Sequence, residues 1–425
     1  ALKKQKNIVL SVQLTGGEPT LREDLVEIVK LLRRLGVRHI QLNTHGIKFA
    51  RLYFENRDKA VEYARILREA GVNTIYLSFD GVTPATNPKN HWEVPYTLQV
   101  FRESGMTSVV FVPTIINGVN VHEIANILKV AAHNMDVVRG VNIQPVSLVG
   151  MMRKQDRARY RITIPDIIKS IEEQTNGEID RNSWFPVGAA VPIARFLEIF
   201  DPAKRAEFTC HPACGAATYV YVEKVDGGFR FQPITRFIDA EGLIDYLERK
   251  VESLTEKPQY LAKLSAYTSI LTILNKFILW NKVPPEIKHE LRSVLIDIFF
   301  KRNYHALGRF HYKFLFIGMM HFMDEWNYDI SRVMRCAVHY ALPDGRIVPF
   351  CAFNILNDIY RDTPHKTFGI PLEEYLKKYG EKVLEQNKYV RSKELIAKMV
   401  RGEPYIKTYA PVLDKLKEFY PDSHA

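Results

Sequence analysis

Cysteine is scarce in this chain: four in 425 residues, at positions 210, 214, 336 and 351, and none before Cys210. That is too few for a disulfide scaffold of this size. Uninterrupted apolar runs of eighteen or more residues are also missing, as is the pattern of a signal peptide at the start. The expected location is therefore cytoplasmic, with a peripheral seat at a membrane surface as a further option. There is no solenoid-type repeat and no low-complexity linker. Neither sign of charge is lacking, but 59 Lys+Arg outnumber 48 Asp+Glu for a net +11. Such a balance suits nucleic acid, anionic headgroups or a phosphorylated substrate and does not choose among them.

What is present is an alternation. From Ile8 to about Ser147, short β-branched runs ("IVLSVQL", "HIQLN", "NTIYLSF", "SVVFVPTII", "GVNIQPV") take turns with amphipathic segments such as Leu25 to Leu35, closed by Gly36. The pattern predicts an α/β domain with a parallel sheet, in which the chemistry gathers at the C-terminal strand ends. Those ends read "TGGEPT", "NTHG", "SFDG", "PTIINGVN" and "QPVS". A carboxylate behind two small residues, as in Gly16-Gly17-Glu18, can reach a ligand's ammonium group while nearby backbone amides meet its carboxylate.

"GGEPTLREDL" followed in order by "QLNTHG", "LSFDG" and "IQPVS" resembles the partial barrel of radical S-adenosylmethionine (SAM) enzymes over roughly residues 8 to 150. The resemblance implies SAM contacts from Gly16, Gly17, Glu18, Asn43, Thr44, Ser78, Asp80, Asn117 and Gln144. It also implies a CxxxCxxC loop, whose thiolates bind a [4Fe–4S] cluster, upstream of the GGE loop. No cysteine stands there, so the first family strand and that loop are expected to precede Ala1.

The four cysteines form two pairs, Cys210 with Cys214 in "TCHPAC" and Cys336 with Cys351 around "CAVHYALPDGRIVPFC". The second segment predicts a hairpin about its Pro-Asp-Gly turn. Two close pairs can hold zinc, iron or a cubane cluster, with His211 and His339 in supporting positions rather than as ligands. Together with "HPACGAATYVYV", "GMMHFMDEWNYDISRVMRC" and "NPKNHWEVPYTLQVFRESG", these segments resemble the archaeal tetraether lipid synthase group of radical SAM proteins. That resemblance implies a partial (β/α)6 barrel with an added helical subdomain and a C-terminal cysteine segment, and an auxiliary [4Fe–4S] cluster on Cys210, Cys214, Cys336 and Cys351. The implied reaction joins terminal carbons of isoprenoid chains in an archaeal diether phospholipid. An electron donor such as ferredoxin or flavodoxin is the implied partner, and nucleic acid is not. Close relatives labelled pterin methyltransferases supply the alternative function, and a non-catalytic metal-binding scaffold is a third reading.

For a lipid, the apolar stretch Leu261 to Met323 offers groove candidates in Phe277, Trp280, Phe299, Phe300, Phe314, Phe316, Met319 and Met320, although an ordinary helical core gives the same pattern. "MMRKQDRARYR" offers Arg153, Arg157 and Arg161, beside Lys154 and Arg159, to a phosphate headgroup, against the commoner reading of a solvated helix face. The expected divisions are residues 1–150 for the barrel, 151–255 for a connecting segment, 256–330 for apolar helices and 331–425 for the second cysteine pair with trailing helices.

Overall fold

The computed structural model describes residues 11–150, 152–200, 207, 209–299, 312–386 and 388–420. Its first part is the predicted alternation. Strands β1 (Ser11–Leu14), β2 (His39–Thr44), β3 (Thr74–Ser78), β4 (Val109–Val112), the short β5 (Thr114–Ile115) and β6 (Val138–Pro145) are separated by helices α1 (Leu25–Arg34), α2 (Ile47–Glu55), α3 (Arg57–Ala70), α4 (Val94–Ser104) and α5 (Ile124–His133). The five strands β1, β2, β3, β4 and β6 are neighbours in that order and parallel. Alternation decides which side chains meet the helices: Ile40, Leu42, Ile75, Leu77, Phe111, Val141 and Ile143 are buried in the main core. The residues between them, Gln41, Asn43, Tyr76, Ser78, Asn142 and Gln144, lie on the opposite, half-buried face.

The sheet does not end at β6. Further along come β7 (Phe185–Pro186), β8 (Gly215–Val225), β9 (Gly228–Pro233) and β10 (Phe314–Met320), then a separate hairpin of β11 (His339–Ala341) and β12 (Ile347–Pro349). β10 is inserted between β6, to which it is parallel, and β8, to which it is antiparallel. The helical reading of "FLFIGMM" is thereby corrected. The run is seven residues long and mostly buried on both faces, and such a run carries no period that separates strand from helix. Two glycines let this strand fit: a Cβ at Gly318 would stand 2.7 Å from Phe316 Cζ, and one at Gly140 2.9 Å from the Phe316 carbonyl.

The lipid groove is corrected for the same reason. Met319 belongs to the main core, Phe277 to a helical cluster with Phe196, Leu247 and Ile270, and Phe314 to a third with Phe237, Ile287 and Leu291. Trp280 packs on that third cluster and donates its indole N–H to the Leu274 carbonyl at 2.7 Å. Phe316 pairs with Tyr219, ring centroids 5.3 Å apart, and Met320 is half-buried at the end of β10. The Phe299 side chain and Phe300 lie outside the described residues. Met319, Phe277 and Phe314 thus sit in three separate packed cores rather than side by side along one groove. No helix among the described residues is long and apolar enough to cross a membrane.

The sequence division at residue 150 is not a division of the core. Tyr405, Tyr409, Val412 and Leu416 are buried with the first five strands and their helices. Arg391 holds the fully buried Glu93 carboxylate just before α4, at 2.6 and 3.0 Å, beside the Tyr389 hydroxyl at 2.9 Å. His91 is enclosed between Tyr405, whose hydroxyl is 2.7 Å from Nε2, and the stacked ring of Tyr409.

Burial pushes the His91 imidazole down to about 3, with the Arg391 charge adding to the effect. The folded chain therefore takes up this proton far later than the unfolded chain, whose histidines titrate near 6.5. Stability from this site is full above about pH 6.5 and is lost as pH falls from there toward 3. In urea unfolding between pH 7 and pH 4.5, His91→Phe is expected to show a shallower loss of stability than the wild type. Equal slopes would contradict that assignment.

Candidate functional site

The parallel strands β1, β2, β3, β4, β6 and β10 point their C-terminal ends at one rim, and the sequence places its turn-rich loops there. The first loop answers why a strand gives way to Gly-Gly-Glu-Pro. Gly16 adopts φ +152°, and neither glycine has an atom within 4 Å of where a Cβ would sit, so the backbone at 16–17 is open to a ligand. Glu18 turns the other way. Its side chain is 5% exposed, and its carboxylate accepts from Thr20 N–H (3.0 Å), Thr20 hydroxyl (2.6 Å), Thr44 hydroxyl (2.7 Å) and His45 N–H (3.0 Å), with His45 Nε2 at 3.1 Å. Those contacts occupy the acceptor positions of a carboxylate. Glu18 thus fastens the glycine loop to the end of β2, and Thr44 is spent in the same network. His45 is pushed below its ordinary value, mainly by burial.

The other expected SAM residues divide. Asn43 reaches back to Thr15 at 3.3 Å. Asp80 accepts from Thr114 N–H at 2.9 Å and pairs with Lys89 at 3.2 Å, which locks the loop after β3 to β5. Asn117 is exposed and donates to the Arg159 carbonyl at 3.2 Å. Ser78 and Gln144 stand half-buried on the helix-free face. That face holds polar side chains the sequence reading passed over. Gln41 lies near Tyr76 on the next strand, and Asn142 sits beside Gly318 on its neighbour. The signal for them was a polar residue at every second position of "HIQLN" and "VNIQP", where a strand with one dry face would show it.

The end of β10 carries the rim to the cysteines. Gly215, at the start of β8, pairs with Met320, so Cys214 lies at the same rim. His321 N–H donates to the Cys214 carbonyl at 2.9 Å, and Met323 N–H donates to Cys351 Sγ at 3.2 Å. Ser147, just past β6, donates its hydroxyl to the Met323 carbonyl at 2.9 Å. The second pair is held by the predicted hairpin: His339 faces Pro349, with Cys336 before β11 and Cys351 in the helix after β12. Cys336 Sγ–H donates to the Val338 carbonyl at 2.9 Å.

The four thiols feel one another. Burial pushes Cys351 up to about 11, with Cys336 and Cys214 adding to the rise, and Cys210 is raised by burial and then by Cys214 and Cys336. Yet no three Cys, His, Asp or Glu side chains among the described residues are grouped tightly enough to hold a single metal ion. Thiolates on one zinc crowd within a bond length or two of each other, whereas a cubane keeps each on its own iron. Four thiols that bear on one another without any tight group of three fit a polynuclear core, with one thiolate to each iron, better than a single ion. No CxxxCxxC motif occurs in these 425 residues, and no cysteine precedes Cys210.

The expected phosphate clamp is corrected. Buried Arg157 bonds Glu325 at 3.1 Å, and Arg161 lies 3.7 Å from buried Asp324. Asp324 also accepts from Trp326 N–H at 2.9 Å. These arginines tie the segment after β6 to the segment after β10, while Arg153 stays exposed. Their acidic partners lie far away in sequence, which is why the cluster read as an anion site.

The Glu18 network predicts a double effect for Glu18→Gln. The substitution should lower folding stability by about 1–3 kcal/mol, the cost of mismatched buried hydrogen bonds, and weaken SAM binding through the loosened loop. Denaturant unfolding and SAM titration of the same protein check it. Unchanged stability would contradict the fastening role.

The sequence profile of the Radical SAM superfamily matches residues 1–131. The 7,8-dihydro-6-hydroxymethylpterin dimethyltransferase of Methanocaldococcus jannaschii is 40% identical over 379 residues, covering 88% of this chain and 72% of the relative. A probable GTP 3',8-cyclase of Thermoplasma volcanium is 25% identical over 174 residues, 41% of this chain and 51% of that protein. One from Saccharolobus islandicus is 50% identical over 54 residues, 12% of this chain and 18% of that protein. The first relative overturns the expected joining of lipid chains, because its likeness spans nearly the whole chain and its named activity is methyl transfer to a pterin. Proteins of this class use SAM and [4Fe–4S] clusters. With 40% identity sustained across 88% of its length, the chain belongs to the radical SAM superfamily.

Proposed function

We propose that the chain is a radical SAM methyltransferase acting on a pterin-like substrate. The observation that carries the reading is the 40% identity with the pterin dimethyltransferase over 379 residues, 88% of this chain. The chemistry of the helix-free face agrees with it. A pterin presents a flat ring whose pyrimidine edge alternates donors and acceptors, and carboxamides are the side chains that offer both. Asn142 and Gln144 on β6 supply them, and the Phe316 and Tyr219 rings lie on adjacent strands as apolar surface. GTP, named for the other relatives, carries the same 2-amino-4-oxopyrimidine unit.

In this reading the open backbone at Gly16 and Gly17, with Ser78 and Asn43, receives SAM. Glu18 and Asp80 hold the loops that present it. Cys210, Cys214, Cys336 and Cys351 bind an auxiliary [4Fe–4S] cluster, which supplies one-electron chemistry when bound. The protein's share of the reaction is to fix the two substrates edge to edge and to exclude water.

Binding tests the proposal without turnover. The chain should bind 7,8-dihydro-6-hydroxymethylpterin, followed by the ligand's own fluorescence. Asn142→Ala and Gln144→Ala should each weaken binding about 5- to 10-fold, the worth of one hydrogen bond of about 1–1.5 kcal/mol. No binding, or identical affinity in both variants, would contradict it.

A further inference from the structure

Arg332 is a buried cation without an acid. It is 7% exposed, and no carboxylate among the described residues pairs with it. Its Nη2 donates to the His321 carbonyl at 2.8 Å, and its Nε donates to Cys214 Sγ at 3.3 Å. The short helix that carries it, Ile330–Met334, is held at its start by Asp329, which accepts from Ser331 N–H and Arg332 N–H. A guanidinium cannot shed its proton, so a buried one needs an anion nearby. The sulfur it points at belongs to the four-thiol site, whose thiolates would supply that negative charge with a cluster bound.

We infer that Arg332 sets the reduction potential of the four-cysteine site: its N–H···S bond to Cys214 and its buried charge favour the reduced cluster over the oxidised one. The inference rests on the proposed cluster at Cys210, Cys214, Cys336 and Cys351. Reduction adds one electron to the cluster, so its sulfurs become more negative, and donors aimed at them strengthen in that state. Hydrogen bonds to the sulfurs and the net charge around a cluster are the terms by which a protein moves its potential. In a buried site the guanidinium acts with little screening. The Met323 N–H on Cys351 Sγ is a second donor, but a neutral one, and Cys336 donates outward to Val338. Arg332 thus sets a full positive charge against Cys214, and that charge reaches Cys351 as well.

A purely bracing role, through the His321 carbonyl, makes a different prediction. The experiment compares the wild type with Arg332→Lys and Arg332→Gln after anaerobic reconstitution, reading iron and sulfide per chain, the midpoint potential and the electron paramagnetic resonance of the reduced cluster. Since the chain has four cysteines and no others, the iron signal reports this site alone. All three proteins should bind the cluster. The midpoint should move to more negative values in Arg332→Gln, which keeps a donor but loses the charge, and move less in Arg332→Lys. Wild-type iron with an unmoved midpoint in Arg332→Gln would overturn the inference, as would loss of iron from both variants, which would make Arg332 a brace. A wild-type chain that takes up no iron would instead overturn the cluster reading on which it depends.

Discussion

Strand β10 is hydrogen-bonded along both edges, to β6 in parallel and to β8 in antiparallel, and the rest of the site depends on that placement. A strand so held has a fixed register, because a slip of one residue would turn Leu315, Ile317 and Met319 out of the core. Its last residue therefore arrives at the rim beside Gly215, with Cys214 next to it. From Met320 only three residues of chain reach Met323, whose N–H meets Cys351 and whose carbonyl meets Ser147. One strand thus joins the loops of the first five strands to both cysteine pairs.

Charge completes what the strand begins. Asp324 and Glu325 follow β10 directly, and they engage Arg161 and Arg157 from the segment after β6. Each pair joins one buried member, Arg157 or Asp324, to a more exposed partner that answers its charge, so these contacts act as a lock on geometry more than a source of stability. At the first loop Glu18 does the same with neutral donors. In both places a charged residue that suggests ligand binding is occupied in holding another loop.

The sequence made much of this legible. The first strands and helices follow from alternating β-branched runs and amphipathic segments, and α1 ends where Gly36 allows. The hairpin between Cys336 and Cys351 follows from its Pro-Asp-Gly turn. What was hidden was hidden for physical reasons. "FLFIGMM" is buried on both faces, so it has no period to read, and its partners lie more than ninety residues away along the chain. Arg157 and Glu325 are likewise remote in sequence, and nothing local in "RKQDRARYR" announces that partner. Arg332 lies in a stretch quoted for its resemblance, but only the fold shows it bonded to Cys214.

The central claim is that β10 gathers four cysteines at the rim into a cluster site. X-ray absorption at the iron edge, on the anaerobically reconstituted chain, tests it most directly. The account predicts about four irons per chain, each with sulfur neighbours and a short iron–iron vector that disappears when Cys214 and Cys351 are both replaced by serine. Tightly bound zinc with no iron–iron vector, under the same conditions, would contradict it.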